Sequence, residues 1–251
     1  MFHPDHARLR ARLAAGEDLA LVWLALGSPA LAEIAARARP DGIVIDMQHG
    51  LFCRAELEAA AGVVPPAIPV LARVAENGFT AIGTALDAGC EGVIVPMVET
   101  AREAADAVAA AHYPPRGRRS GGGLRPTADF GAYLAAAAER IAVIVMIETA
   151  RGVDNAAAIA ATPGVDAVLI GSGDLAISLG AAPGSAAYED AVRAVRAACA
   201  AAGVAPGIFT MDAAAARRRR EEGFRLVVGA NDITLAERGF AEALAALGSA
   251  R

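Results

Sequence analysis

Short apolar runs recur along the chain, and alanine-rich stretches of helical spacing lie between them. Runs without polar interruptions are typical of strands that are buried on both faces, as in an all-parallel sheet. The pattern predicts strands at residues 19–26, 42–47, 69–74, 92–97, 142–147, 167–171, 205–209 and 225–228. It predicts helices that begin near Pro29, Arg54, Asn77, Thr100, Val153, Ala186, Asp212 and Asn231. Eight strand–helix units in a chain of about 250 residues predict a closed (β/α)8 barrel, the TIM barrel.

We therefore expect residues 1–251 to form one α/β domain, with residues 1–18 as a helical N-terminal segment. One long segment, residues 112–131, interrupts the alternation of strands and helices. It carries a Pro-Pro pair, several arginines and three consecutive glycines, without apolar periodicity. A loop of this length in a compact barrel is either functional or a flexible surface excursion.

Composition excludes several classes of function. The net charge of -5 argues against a general nucleic-acid-binding protein, and the arginine run 217–220 is followed by two glutamates, which indicates a solvated helix face. The sequence contains no run of about 18 uninterrupted apolar residues, so we predict no membrane span. The cysteines, Cys53, Cys90 and Cys199, fit neither a zinc spacing nor a disulfide framework, so we expect a cytoplasmic protein.

All 23 residues counted as lysine or arginine are arginine. Without a lysine side chain the protein cannot form a lysine Schiff base with a carbonyl substrate or with pyridoxal phosphate (PLP). A Walker-type phosphate loop also requires lysine and is excluded for the same reason.

Two carboxylates follow consecutive predicted strands. Glu148 ends the run 142–147, and Asp174 follows the next run through Gly171-Ser172-Gly173. The C-terminal ends of barrel strands form the active site of TIM-barrel enzymes, so these carboxylates should lie side by side. They predict a divalent cation bound through oxygen, such as Mg, Mn or Co. The alternative is structural: Asp174 caps a helix and Glu148 pairs with an arginine.

His49 is the one histidine at a predicted strand end, because the others lie in the N-terminal tail or in the long segment. Its ordinary pKa, about 6.5, suits proton transfer near neutral pH, so we predict that it is the catalytic base. Arg73 ends an otherwise apolar strand, where a cation needs an anion or a developing oxyanion to face. Pairing of Arg73 with Asp46 is the alternative.

The glycine-rich turn offers backbone N–H groups at the start of a following helix, which favour a bound carboxylate. Gly171, Ser172 and Gly173 are therefore predicted substrate contacts, with Asp174 beside them. We expect Phe209 and residues 116–124 to shape the pocket for a second reactant. A cation, an arginine, an anion cradle and one base together suit a small 2-oxo acid whose enolate the metal stabilises.

Several motifs combine into a family pattern. They are Asp46-Met-Gln-His49-Gly, Arg73, Ala85-Leu-Asp87-Ala-Gly, Gly92-Val-Ile-Val-Pro96, Tyr113-Pro-Pro, Ile147-Glu148-Thr-Ala-Arg-Gly-Val-Asp-Asn155 and Gly171-Ser-Gly-Asp174. With these motifs in this order, the sequence resembles the HpcH/HpaI family of metal-dependent pyruvate-type aldolases from about residue 19 to residue 232.

The resemblance implies a class II aldolase on a (β/α)8 barrel that cleaves 4-hydroxy-2-oxo acids to an aldehyde and pyruvate or a relative such as hydroxypyruvate. By position, Glu148 and Asp174 match the family's metal ligands and His49 matches its general base. Arg73 matches the arginine that steadies the keto or enolate oxygen, and Gly173 matches a residue whose backbone binds the substrate carboxylate.

The resemblance also implies an assembly. Asp87 matches an aspartate that raises the basicity of the histidine in a neighbouring subunit, although Asp46 in the same chain is an alternative partner for His49. Members of the family are typically hexamers whose last helix packs on an adjacent chain, so we expect a homohexamer.

Two positions depart from the family pattern. Met146 stands where several members have a glutamine that contacts substrate, and Gln48 stands where some have a glutamate. The exact substrate therefore stays open. Two other functions remain as alternatives: a citrate-lyase-like enzyme acting on CoA esters, and a non-catalytic barrel that binds 2-oxo acids.

Overall fold

The computed structural model describes residues 9–248, which form eight strands and thirteen helices. The strands are β1 Leu19–Leu24, β2 Gly42–Asp46, β3 Val70–Arg73, β4 Gly92–Val95, β5 Ala142–Ile147, β6 Ala167–Ile170, β7 Ala205–Phe209 and β8 Leu226–Asn231. The helices are α1 Leu9–Ala14, α2 Pro29–Arg37, α3 Arg54–Val63, α4 Phe79–Asp87, α5 Ala101–Ala111, α6 Leu124–Thr127, α7 Phe130–Arg140, α8 Ala150–Asp154, α9 Ala156–Ala160, α10 Ser172–Leu179, α11 Ala186–Ala202, α12 Ala213–Glu221 and α13 Asp232–Ala246.

All eight strands are parallel to their neighbours and close into a barrel in chain order, so the predicted (β/α)8 fold is confirmed. The barrel closes where β1 pairs with β8, from Leu19 opposite Leu226 to Trp23 opposite Asn231. The predicted strand positions match the observed ones to within a few residues. The largest difference is at β8, which continues to Asn231 instead of ending at residue 228.

Two apolar layers form the core. The inner layer fills the barrel with side chains from alternate strand positions, including Leu21, Val44, Ile94 and Leu169. Leu9 of α1 packs against this inner layer, so the first helix covers one end of the barrel. The outer layer packs the opposite strand faces against the surrounding helices. Burial on both faces explains why the strands read as continuous apolar runs in the sequence.

The helix prediction was incomplete in three places. After β5 the helix begins at Ala150, earlier than the predicted Val153, and divides at Asn155 into α8 and α9. After β6 the chain forms α10 at once, which is the helix expected to follow the glycine-rich turn, although the predicted set of helix starts did not include it. Part of residues 112–131 is helical, because α6 and the start of α7 fall there.

The non-helical part of that segment is held by a buried arginine. Arg119 donates hydrogen bonds to the Tyr133 hydroxyl at 2.9 Å and to the Asp87 carboxylate at 2.8 Å. Its guanidinium lies over the rings of Tyr113 and Tyr133, at 4.8 and 5.3 Å from their centroids. A flexible surface excursion is therefore the wrong description of this segment.

The described part of the predicted N-terminal helix is α1, and residues 1–8 lie outside the described range. None of the helices in residues 9–248 is long and apolar enough to cross a membrane.

Candidate active site

A cavity of about 360 Å³ opens at the C-terminal ends of the strands. Its lining includes nine of the predicted site residues and their strand-end neighbours. They are Asp46, His49, Arg73, Glu148, Gly171, Ser172, Gly173, Asp174 and Phe209, together with Trp23, Ala25, Met146, Met211, Asn231, Asp232, Ile233, Thr234 and Glu237. Residues 116–124 do not line this cavity. They follow α5, which runs back from the mouth, so they lie at the opposite end of the barrel, and the predicted role of this loop in the chain's own pocket is wrong.

Arg73 and Asp46 form a buried ion pair at the ends of adjacent strands. The Arg73 Nε donates to Asp46 Oδ1 at 2.8 Å, and its Nη2 donates to Oδ2. Burial alone would raise the pKa of Asp46, but the hydrogen bond and charge of Arg73, with two backbone N–H groups, outweigh burial and lower it. The alternative of an Arg73–Asp46 pair is thus what the structure shows, and the pair leaves three of the five guanidinium N–H donors for another ligand.

Asp46 also fixes the loop that carries the histidine. Its Oδ1 accepts hydrogen bonds from the backbone N–H groups of Gln48 at 3.0 Å and His49 at 3.2 Å. The carboxylate thus binds the main chain of His49 and not its imidazole. Asp46 is a positioning residue here, and it is not the side-chain partner of His49.

Trp23, which was not among the predicted site residues, supports the arginine from the barrel interior. The guanidinium carbon of Arg73 lies 5.0 Å from the centre of the Trp23 ring, and the indole N–H donates to Asp46 Oδ2 at 3.3 Å. Phe209 packs edge-on against the same indole, with ring centres 5.2 Å apart. The available signal was the alternation within β1, which places Trp23 on the same face as the inward-pointing Leu21.

Glu148 is buried and faces three other charged side chains. Burial raises the pKa of its carboxyl and Asp174 adds to that effect, whereas Met97 N–H, Arg73 and His49 act in the opposite direction. Its Oε2 accepts the Met97 N–H at 2.8 Å, and Met97 adopts a left-handed φ of 56° to present that group. Glu148 therefore meets a backbone donor and does not hydrogen-bond to an arginine, contrary to the structural alternative.

Asp174 lies in the first turn of α10 but does not cap it. The N-cap is Gly171, which has no side chain to bond the first N–H groups of the helix. These groups stay open toward the cavity, as a carboxylate-binding site requires. A Cβ atom at position 171 would lie 2.3 Å from Glu148 Oε1, so only glycine lets the strand end and the Glu148 carboxylate approach this closely.

The two carboxylates fit a divalent cation. Glu148 and Asp174 both line the cavity and offer the hard oxygen donors that such cations prefer. Within residues 9–248 no cluster of three or more histidine, cysteine, aspartate or glutamate side chains is close enough to form a complete protein-only site. A cation here would keep positions for water or substrate oxygens, as an open catalytic site does.

The end of β8 closes the mouth on the other side. Asn231, near which a helix was predicted to begin, caps α13 by accepting the Thr234 N–H at 2.9 Å. The buried Asp232 carboxylate accepts the N–H groups of Ala25 and Leu26 from the loop after β1. No feature of the local sequence predicted this link.

Comparison with known proteins identifies the family. The family described as HpcH/HpaI aldolase/citrate lyase matches residues 19–238. This chain belongs to that family. This chain is 38% identical over 249 residues to a hydroxypyruvate/pyruvate aldolase from Paraburkholderia phytofirmans, an alignment that covers 94% of this chain and 95% of the relative.

Further relatives agree with this assignment. This chain is 40% identical over 209 residues to a 4-hydroxy-2-oxovalerate aldolase from Rhodococcus jostii, and the alignment covers 79% of each chain. A crystal structure of an HpcH/HpaI aldolase/citrate lyase family protein from Burkholderia cenocepacia J2315 superposes with a TM-score of 0.90 at 38% identity, covering 96% of this chain and 99% of that one. The protein is therefore an aldolase, a carbon–carbon lyase, and the family resemblance seen in the sequence is confirmed.

Asp87 is the predicted site residue that this HpcH/HpaI aldolase does not bring to its own cavity. It is the last residue of α4, at the end of the barrel opposite the mouth, where it pairs with Arg119 at 2.8 Å. His112 lies toward the same end, and burial lowers its pKa to about 4. Among the described residues, His49 is thus the one histidine at the mouth.

Proposed function

We propose that this aldolase is a class II enzyme that reversibly cleaves 4-hydroxy-2-oxo acids to an aldehyde and pyruvate, or a related 2-oxo acid such as hydroxypyruvate. The observation that carries the proposal is the meeting of Glu148, Asp174, Arg73 and His49 around one cavity, beside the uncapped start of α10. The names of the relatives, hydroxypyruvate/pyruvate aldolase and 4-hydroxy-2-oxovalerate aldolase, support this substrate class.

In the proposed enzyme, Glu148 and Asp174 hold a divalent cation, Mg, Mn or Co. When bound, the cation polarises the keto oxygen of the substrate and stabilises negative charge on it. The absence of lysine supports this assignment, because a class I aldolase would need a lysine to form an imine.

The substrate carboxylate binds at the start of α10. The N–H groups of Ser172, Gly173 and Asp174 point out of the first turn, and the positive end of the helix dipole favours an anion there. The keto oxygen faces the three free N–H donors of Arg73. Asp46 and Trp23 fix the arginine before substrate arrives, so little reorganisation is needed when charge develops.

In cleavage, the neutral imidazole of His49 accepts the proton of the C4 hydroxyl. The O–H electron pair forms the aldehyde carbonyl, the C3–C4 bond breaks, and its electron pair passes into the C2 carbonyl to give the enolate. Arg73 donates hydrogen bonds to the enolate oxygen, and protonation at C3 yields the 2-oxo acid. The reverse sequence is aldol addition.

The assembly belongs to the proposal. Asp87 lies far from its own cavity, which suits a role at the site of another copy. On α13, Phe240 is 72% exposed and Leu244 is 51% exposed, an apolar surface that packing on an adjacent chain would cover. We therefore expect a homo-oligomer, a hexamer by family resemblance.

Exchange of the C3 protons of pyruvate with deuterium tests the function without knowledge of the aldehyde. We expect exchange in the presence of Mg, Mn or Co and its loss after chelation and in Glu148→Gln. Glu33→Gln is the matched control, because Glu33 is 54% exposed and pairs with Arg37 on the outer helix α2. No exchange with any of the metals would favour a non-catalytic 2-oxo-acid-binding barrel, and activity confined to CoA esters would favour the citrate-lyase-like alternative.

A further inference from the structure

A second cavity adjoins the active-site cavity. Its volume is about 390 Å³, and it lies beside the end of β7, with walls from the start of α11 and from α12. Ser172, Phe209 and Met211 line both cavities. A molecule whose reactive end lies near His49 can therefore extend past Phe209 into this side cavity.

Most polar groups of the side cavity already have partners. Arg219 donates to both oxygens of Glu189 at 2.7 Å and to Glu222 at 2.8 Å. The Thr210 hydroxyl is within 2.6 Å of the Val228 carbonyl and donates there. Tyr188 is buried, and its hydroxyl is hydrogen-bonded to the Ser172 side chain. These groups form a fixed wall.

Arg218 differs from them. It lines the side cavity and has no ion pair or hydrogen bond from its side chain to any of the described residues. Two arginines and two glutamates face the cavity, so its net charge is about zero, and an anion gains little from the overall field. Arg218 can instead act as a hydrogen-bond donor. Its guanidinium carries five N–H groups on a planar cation, which match the oxygens of a carboxylate or a phosphate.

We infer that the side cavity is a subsite for the distal end of the acceptor aldehyde, and that Arg218 selects aldehydes whose distal end carries a carboxylate or phosphate group. The inference rests on the proposed aldolase function and adds the chemical class of the second reactant. Arg218 binds the distal anion, Phe209 and Met211 contact the carbon chain, and the aldehyde carbon stays beside His49.

Matched pairs of aldehydes test the subsite in the condensation direction, with pyruvate as donor. Glyceraldehyde 3-phosphate is compared with glyceraldehyde, and 4-oxobutanoate with butanal. The measured quantity is the ratio of kcat/KM for the charged aldehyde to that for its neutral counterpart. We expect Arg218→Gln to lower this ratio about tenfold, the usual scale for loss of a hydrogen bond to a charged group. A fall for only one pair identifies the anion as phosphate or as carboxylate.

Arg217→Gln is the control. Arg217 is exposed on the same helix and does not line the side cavity, so the variant makes the same change in net charge. We expect it to leave the ratio unchanged. Ala215→Leu is an independent variant, because Ala215 lines the side cavity and leucine keeps the helix while filling the space. It should lower kcat/KM for both members of each pair. It should leave kcat/KM for glycolaldehyde unchanged, because glycolaldehyde is too short to reach the side cavity.

The outcomes separate the two proposals. If the parent condenses pyruvate with these aldehydes but Arg218→Gln keeps the parental ratio, or Arg217→Gln lowers it equally, the subsite is overturned and the aldolase function stands. If the parent condenses pyruvate with none of them and shows no exchange at C3, the proposed function fails and the subsite fails with it.

Discussion

Arg73 holds both oxygens of the Asp46 carboxylate at the mouth of the barrel, and Asp46 in turn holds the backbone of His49. One buried carboxylate thus positions the proposed oxyanion donor and the loop of the proposed base. Because Arg73 and the His49 backbone both bond to this carboxylate, we expect a change at Asp46 to affect binding and proton transfer together.

Asp46→Asn should impair catalysis and stability. The amide keeps the shape of the side chain but leaves the buried Arg73 without its counter-ion, and breaking a buried pair in this way costs about 3–5 kcal/mol. We expect kcat/KM to fall at least tenfold and the free energy of unfolding to fall measurably in urea titrations. Parental kinetics in Asp46→Asn would show that the ion pair does not position the site.

The same pair makes stability depend on pH in acid. The pKa of Asp46 is lower in the folded protein than its ordinary value of about 3.9, so the unfolded state binds more protons between the two values. The contribution is complete above about pH 5 and is lost as the pH falls through the unfolded-state and then the folded-state pKa. The difference in unfolding free energy between the parent and Asp46→Asn should therefore shrink between pH 5 and pH 2.

Asp190→Asn provides the comparison for that titration, because Asp190 is 69% exposed and pairs with Arg193 on the protein surface. The difference in unfolding free energy between the parent and Asp190→Asn should be small at every pH of the titration. A difference for Asp46→Asn that stays constant down to pH 2 would contradict the assignment.

His49→Gln should lower kcat on the order of 100-fold or more, the usual scale for loss of a general base. Pyruvate and metal affinity should be largely kept, because His49 contacts neither the carboxylate cradle nor the two metal carboxylates by a hydrogen bond. The pH profile of kcat tests whether His49 is the base, because the acid limb of the profile should disappear in the variant. Near-parental turnover with an unchanged profile would assign proton transfer to another group.

Glu148→Gln and Asp174→Asn should each raise the metal Kd at least tenfold, since each replaces an anionic oxygen ligand with a neutral one. Calorimetric titration of metal-free protein measures this independently of activity. Circular dichroism should show the barrel intact, and exhaustive chelation of the parent should abolish turnover. Turnover that survives chelation would rule out the metal role of both residues.

Asp87 and His49 should complement each other between chains. If Asp87 of one subunit serves the site of the next, co-expressed Asp87→Ala and His49→Ala chains will form some sites with both residues intact. Random assembly in equal amounts gives about a quarter of the sites in this state. We expect about that share of parental activity from mixed oligomers and almost none from either variant alone. If activity does not recover in the mixed oligomers, the role of Asp87 is limited to its ion pair with Arg119 in the same chain.

The sequence predicted the position of reactive side chains best at the C-terminal ends of the strands. Glu148, Asp174, Arg73 and His49 were found because the ends of parallel strands meet at one mouth, so local position implies proximity. Trp23 was missed because it lies within the apolar run of β1, where an aromatic side chain is typical of the core and not of a site.

Other parts depend on contacts that are distant in sequence. The bonds from Asp232 to Ala25 and Leu26 span more than 200 residues, and no local pattern signals them. Arg119 orders its loop by stacking on tyrosines and binding Asp87, which lies 32 residues away. The position of that loop followed from the direction of α5 and could have been deduced once the barrel was assumed.

The clamp between Asp232 and the loop after β1 bears on how the protein is made. Its partners belong to the first strand unit and the last helix, so the barrel can close only when both of these units are present. Until then the strands at both open edges remain unpaired and their apolar faces exposed. The seam between β1 and β8 is therefore the last part of the barrel to form.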